Sequence, residues 1–145
     1  IIVNKSTNKK EYTESIVKQT IGMALDSENI ILNPETVLSG VNYVLNCDKI
    51  ALYILITKNN IPIANNLLTR DYNIRNDSFS WTIGSLNVEK EYRRLGIFSK
   101  YILESDIKYV LSDENNRKIL KLYMDKGNEV AEKAYFKNGF KLNLN

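Results

Sequence analysis

Apolar positions along the chain change period several times, and each change marks an element. Ile1 to Lys5 is short and branched enough for an opening strand. From about Tyr12 to Leu25, residues Ile16, Val17, Ile21, Ala24 and Leu25 recur at helical spacing. A second helix is better punctuated, with Asn33 as N-cap, Pro34 as first helical residue and Glu35 in the first turn. Val37, Leu38, Val41, Val44 and Leu45 form its apolar stripe, which stops at Asn46-Cys47-Asp48.

The period then shortens. Ile50 to Ile56 is a near-continuous apolar run, as in a buried strand, and Lys58-Asn59-Asn60 reads as a hairpin turn. Ile61 to about Tyr72 is the return strand, with Pro62 at its start, where a missing N–H is tolerated. A polar turn from Asn73 to Asp77 leads into Ser78–Val88, a strand carrying Phe79, Trp81, Ile83, Leu86 and Val88. Helical spacing resumes just after Gly96, through Phe98, Ile102, Leu103, Ile107, Val110 and Leu111. Ser112 to Arg117 is a polar loop, Ile119 to Met124 a strand, Asn128 to Lys137 a helix, and Gly139-Phe140 opens a last short strand. This order makes a mixed α/β domain.

With 145 residues the chain has room for one core and not for two. No apolar run approaches the roughly 18–20 residues of a membrane span, so no membrane partner is expected. Ile1-Ile2-Val3 is too short for a signal-peptide core, and the missing initiator Met reads as processing or as a piece of a longer protein. The net charge of +3 is spread along the chain, and no aromatic-basic motif accompanies it, so nucleic acid is not expected as a partner.

An absence narrows the chemistry further. There is no His, and Cys47 is the single Cys. Ser-His-Asp and Cys-His catalysis, His zinc sites and thiolate cages are excluded, and so is an intrachain disulfide. No metal is expected, and the setting reads as reducing and cytoplasmic. The chemistry falls to Tyr, carboxylates, Lys, backbone amides or water.

Two segments carry candidate chemistry. In Arg93-Arg94-Leu95-Gly96-Ile97-Phe98-Ser99 a glycine precedes a helix start, where free N–H groups and the helix dipole favour an anion, usually phosphate. Glycine permits close backbone approach, and the two arginines add charge. The same residues also suit a plain solvated turn. Downstream, Asn128 suits an N-cap and Gly139 a helix stop, while Ala131, Ala134 and Tyr135 share a helix face thin enough to admit a ligand. The bland alternative is that this face packs on the sheet.

Taken together, Val88-x-x-x-Tyr92-Arg93-x-x-Gly96-Ile97 and Asn128-x-x-Ala131-x-x-x-Tyr135-x-Lys137-x-Gly139-Phe140 resemble the GNAT superfamily of acetyl-CoA-dependent N-acetyltransferases. Trp81 to Val88 looks like that family's central strand, and the element order matches over nearly the whole chain. The resemblance implies a single α+β domain whose mostly antiparallel, mixed sheet is splayed at the cofactor and flanked by helices. It implies acetyl-CoA as cosubstrate and acetyl transfer to a primary amine, of a small molecule or a protein, by direct attack through a tetrahedral intermediate. Arg93, Arg94, Leu95, Gly96, Ile97, Phe98 and Ser99 would hold the pyrophosphate, mostly through backbone amides. Leu86 and Val88 would offer backbone groups from a splayed, bulged strand to the pantetheine arm and the acetyl carbonyl, Asn128 would reach the pantetheine, and Tyr135 would be the general acid.

Two positions depart from the family pattern. Phe98 stands where glycine or alanine is common, so its ring must turn to the core or away from phosphate. Thr82 stands where some members place a glutamate base, leaving water, Asp71, Asp77 or Asp125 as proton acceptors. The missing carboxylate also keeps open a non-catalytic acyl-CoA-binding module of the same fold. An acceptor groove is expected across the sheet, between the 12–46 helices and the 71–78 turn. A further edge strand would lie beyond Asn145 or come from a partner, and the oligomeric state, a homodimer included, is open.

Overall fold

Asn33 caps its helix as the pattern requires, its side chain accepting from the N–H groups of Glu35 at 2.9 Å and Thr36 at 3.1 Å. In the computed structural model, which describes residues 1–47, 49–113, 118–123, 127 and 129–141, that helix is α2 (Pro34–Leu45). It follows α1 (Lys10–Glu28), which ends at Asn29 in the left-handed conformation. Five strands form one sheet in chain order: β1 (Ile2–Val3), β2 (Ala51–Lys58), β3 (Ile61–Asn73), β4 (Ser78–Val88) and β5 (Leu120–Leu122). The first four pair antiparallel, and β5 joins β4 in parallel. Asn59 and Asn60, at φ +52° and +65°, make the tight β2–β3 turn, a conformation asparagine tolerates.

Strand alternation sorts the apolar residues into two layers. Tyr53 and Leu55 pack with Ile16 of α1 and Val41 and Leu45 of α2. Leu52, Ile54, Leu68, Trp81 and Ile83 face the other way, onto Leu103 and Val110 of α3 (Leu103–Ser112). Trp81 is fully buried, as a core residue, with its indole N–H donating to Asp113 at 3.1 Å. The result is a single α+β domain with an open mixed sheet between helices. Among the described residues no helix is long and apolar enough to cross a membrane.

Two expectations need correction. The helix after Gly96 begins as a π-helical turn over Phe98–Ile102 before α3. Along α3 the buried face runs through Leu103, Asp106 and Val110, whereas Ile107 and Leu111 of the anticipated stripe are exposed. The short strand anticipated to open at Gly139-Phe140 falls mostly on residues 142–145, outside the described residues. Gly139 takes φ +91° and the Phe140 N–H returns to the Tyr135 carbonyl at 3.1 Å, closing α4 (Glu129–Lys137). Met124 also lies outside the described residues.

Candidate functional site

The site begins where β4 leaves β5. Their parallel pairing covers Trp81, Thr82 and Ile83 and ends at Ile83. On the other side of β4, Asn66 of β3 pairs with Leu86 but Leu68 pairs with Ile83, so Leu67 faces both Gly84 and Ser85. This is a β-bulge with one extra residue on β4. Before it, the Trp81 N–H points to β5, bonding the Ile119 carbonyl at 3.1 Å. Beyond it, the Glu89 N–H points to β3, bonding the Ile63 carbonyl at 2.8 Å. Because peptide groups alternate along a strand, Leu86 and Val88 turn their N–H and C=O away from β3, to an edge that β5 leaves unpaired among the described residues.

β4 then passes through a short 3₁₀ turn (Lys90–Tyr92) into the Arg93–Ser99 segment. Arg94 and Gly96 both take left-handed φ, +63° and +75°. The helix opens with the Lys100 N–H bonding the Gly96 carbonyl at 3.0 Å, and the amides before that bond are those that a helix start leaves without an intrahelical partner. Leu95 is exposed and Ile97 buried, with Ile63, Ala64, Val88 and Ile102. Phe98 turns into the protein, as its bulk requires, and packs partly buried against both α3-side clusters. The Arg93 side chain is already engaged: Nε donates to the Val88 carbonyl at 2.9 Å and Nη1 meets Asp26 of α1 at 2.8 Å. The charges available beside the turn are therefore those of Arg94 and Lys100, both exposed.

α4 supplies a second wall. Tyr135 stands edge-on between Phe98, 5.7 Å centroid to centroid, and Phe140, at 6.0 Å. Burial pushes its hydroxyl above the ordinary tyrosine range. Ser99 accepts from the Asn138 side chain at 3.0 Å, so the end of α4 is tied directly to the turn. Ala131 is half-buried and Ala134 exposed. Asn128 lies outside the described residues.

Of the three candidate bases, Asp71 is drawn to β4. The Thr82 hydroxyl donates to its Oδ2, and Lys121 of β5 reaches the same oxygen at 3.1 Å. Burial acts to raise the Asp71 carboxyl, but those hydrogen bonds and the Lys121 charge outweigh it and hold the group below the usual carboxylate range. Asp77 instead accepts from the Tyr72 hydroxyl at 2.7 Å on the exposed hairpin, and Asp125 lies outside the described residues. On the helix side of the sheet, α1 and α2 flank a groove of about 450 Å³ with an apolar lining of Val17, Ile21, Pro34 and Leu38 beside Glu14 and Glu35. Lys18 lines it too and pairs at 3.8 Å with Glu89, the residue after β4.

Sequence reasoning missed Asp26, Asn66 and Asp106. The doublet Asn65-Asn66 inside an otherwise apolar strand covered on both faces was the available signal for the second of these. Asn65 bonds Gln19 of α1 at 2.7 Å on one face, and Asn66 bonds Asp106 of α3 at 2.8 Å on the other.

No protein-family model and no curated protein matches the sequence. Solved structures do match in shape. A possible acetyltransferase from Clostridium difficile 630 shares 25% identity, with TM-score 0.84 over 95% of this chain and 90% of that one. A transcriptional regulator from Bacillus halodurans C-125 shares 16% identity, with TM-score 0.77 over 100% of this chain and 95% of that one. An aminoglycoside antibiotic 6'-N-acetyltransferase from Acinetobacter haemolyticus shares 14% identity, with TM-score 0.67 over 95% of this chain and 90% of that one. A bulged central strand, a left-handed turn into a helix and these neighbours agree, and the chain has the GNAT acetyltransferase fold that its two motifs resemble.

Proposed function

We propose that the chain is an N-acetyltransferase that moves an acetyl group from acetyl-CoA to a primary amine by direct attack through a tetrahedral intermediate. The observation that carries this reading is the edge of β4 left unpaired among the described residues: after the bulge, Leu86 and Val88 direct backbone groups to that edge, and the strand then leads into the Arg94–Gly96 turn. Acetyl-CoA would supply the activated acyl group. The turn residues Arg93 to Ser99 would hold its pyrophosphate through backbone amides, with Arg94 adding charge. Leu86 would orient the acyl carbonyl and stabilise developing negative charge on its oxygen. The Val88 carbonyl is shared with Arg93, so its N–H is the group free to serve the pantetheine arm. Tyr135, whose hydroxyl stays protonated at working pH, would donate to the departing thiolate. Asn128 would serve the pantetheine from the head of α4.

The acceptor would enter from the α1–α2 side, where Glu14 and Glu35 beside an apolar lining suit an amine with an apolar body. The amine would bind neutral, because an Asp71 held ionised is a weak base toward a free ammonium. The second reading, a non-catalytic acyl-CoA-binding module, draws support from Thr82 at the base position and from the fold shared with a transcriptional regulator. Calorimetric titration with acetyl-CoA, followed by free-thiol release over an amine panel, separates them. Binding with release establishes the transferase, binding without release on any amine favours the module, and no binding removes both.

A further inference from the structure

Asp106 and Asn66 are both fully buried, and each has one oxygen without a partner. Asn66 Nδ2 donates to Asp106 Oδ2 at 2.8 Å, while Asn66 Oδ1 and Asp106 Oδ1 have none among the described residues. Both orphans are acceptors. An ionised Asp106 has nothing to offer either, and it would bury a charge with no cation beside it. One proton on Asp106 Oδ1 resolves both, because the acid O–H then donates to Asn66 Oδ1 while Asn66 Nδ2 continues to donate to Oδ2.

The placement gives the pair a consequence. Asp106 belongs to the helix that begins at the Arg93–Ser99 turn, and Asn66 is the β3 residue paired with Leu86, next to the bulge. We infer that Asp106 is carried as a neutral acid doubly hydrogen-bonded to Asn66, and that this pair is a positioning device, seating the cofactor-side helix against the bulged rung of β4. The second half of this inference rests on the cofactor site proposed above.

The ionisable groups around Asp106 do not supply a counter-charge. On its own helix Glu104 and Lys108 are exposed, and Tyr109 interacts with Arg70 of β3. Lys100 of the π-turn is exposed, and Lys58 of β2 lies over the Tyr92 ring. On β5, Lys121 is held by Asp71, and Tyr135 of α4 packs between two phenylalanines. Burial dominates the Asp106 ionisation and raises the carboxyl to about 7, opposed only by the Asn66 hydrogen bond. Above neutrality the acid loses its proton, the bond to Asn66 Oδ1 is lost and the seat loosens.

The test uses the whole chain, with carboxyl carbon-13 NMR titration of wild type and Asp106→Asn, and calorimetric acetyl-CoA affinity at about pH 5.5 and about pH 8.5, either side of neutrality. Asp106→Asn keeps the reciprocal pair, since its amide donates to Asn66 Oδ1 and accepts from Asn66 Nδ2. The expected result is a carboxyl, absent from the variant, that titrates near neutrality. Wild-type affinity should then weaken about five-fold more than the variant's between the two pH values, the scale of one lost hydrogen bond. Titration of that carboxyl in the ordinary aspartate range would overturn the neutral acid. Equal pH slopes in both proteins would overturn the positioning role, the coenzyme's own phosphates contributing alike to each. If neither protein binds acetyl-CoA, the cofactor reading and the positioning role fall together, while the carboxyl titration still decides the acid–amide pair.

Discussion

Arg93 and Asp26 meet at 2.8 Å across 67 residues of sequence, joining the segment after β4 to the last turns of α1. The same guanidinium donates Nε to the Val88 carbonyl at 2.9 Å. One side chain thus ties a helix that lines the α1–α2 groove to the strand end beside the Arg94–Gly96 turn.

The two halves of that contact differ in strength. The Asp26 pair is partly solvated, with side chains 24% and 37% exposed, and an exposed pair contributes about 0.2–1 kcal/mol. A hydrogen bond from a charged donor to a half-buried carbonyl contributes about 1.5–3 kcal/mol. Arg93→Gln should therefore lower unfolding stability more than Asp26→Asn in urea titrations. A larger loss from Asp26→Asn would show that the ion pair is the main anchor.

Gly96 sits at φ +75°, and a Cβ there would meet nothing nearer than Lys100 Cε at 3.7 Å. Gly96→Ala should still cost about 1–2 kcal/mol, because the strain lies in the backbone angle and not in a clash. Arg94→Gly, at φ +63°, should stay within about 1 kcal/mol of wild type, since relief of that strain is offset by a freer unfolded chain. Under the proposed function both substitutions weaken acetyl-CoA binding, the first by distorting the turn and the second by removing charge.

Tyr135→Phe keeps the ring between Phe98 and Phe140 and removes only the hydroxyl. With Tyr135 as general acid, turnover should fall about 100-fold with acetyl-CoA affinity unchanged. The raised tyrosine pKa places the alkaline fall in wild-type turnover above the ordinary tyrosine range. Unchanged turnover in this variant would remove Tyr135 from the chemistry.

Two aspartates bend the stability curve in opposite directions. Asp106 is raised from 3.8 to about 7, so between those values the folded chain holds a proton that the unfolded chain has lost. Stability then falls as pH rises, by about 1.4 kcal/mol per unit for a single group, and levels off above about 7. Asp71 is lowered, so its contribution is present above the ordinary aspartate range and is lost on acidification. Thermal melts across this range should show the neutral-side decline in wild type and its flattening in Asp106→Asn.

The legible features were those written in local chemistry. Ser78–Val88 matches β4 at both ends because turn residues bound it, and Asn33, Asn59 and Asn60 act through their own side chains or backbone preferences. The bulge was legible only through the family resemblance, since Gly84-Ser85 interrupts no apolar pattern strongly enough to reveal an extra residue by itself. The π-turn escaped for the same reason: spacing from Phe98 to Leu103 fits a helix until the hydrogen bonds are seen. Arg93 reads as a phosphate ligand locally, and only the distant Asp26 redirects its charge. Asp106 was hidden because a buried face was assumed to be apolar, which placed Ile107 and Leu111 where the fold does not.

The bulge in β4 also acts as a parity change. Upstream of it odd-numbered residues such as Trp81 offer peptide groups toward β5, and downstream even-numbered ones, Leu86 and Val88, face that side. Were Gly84 and Ser85 to run in regular alternation, with no bulge to absorb the extra residue, the strand would present Asn87 and Glu89 to the unpaired edge in their place, with side chains exchanged between the two faces of the sheet. A count of one residue thus decides which peptides a ligand at that edge would meet.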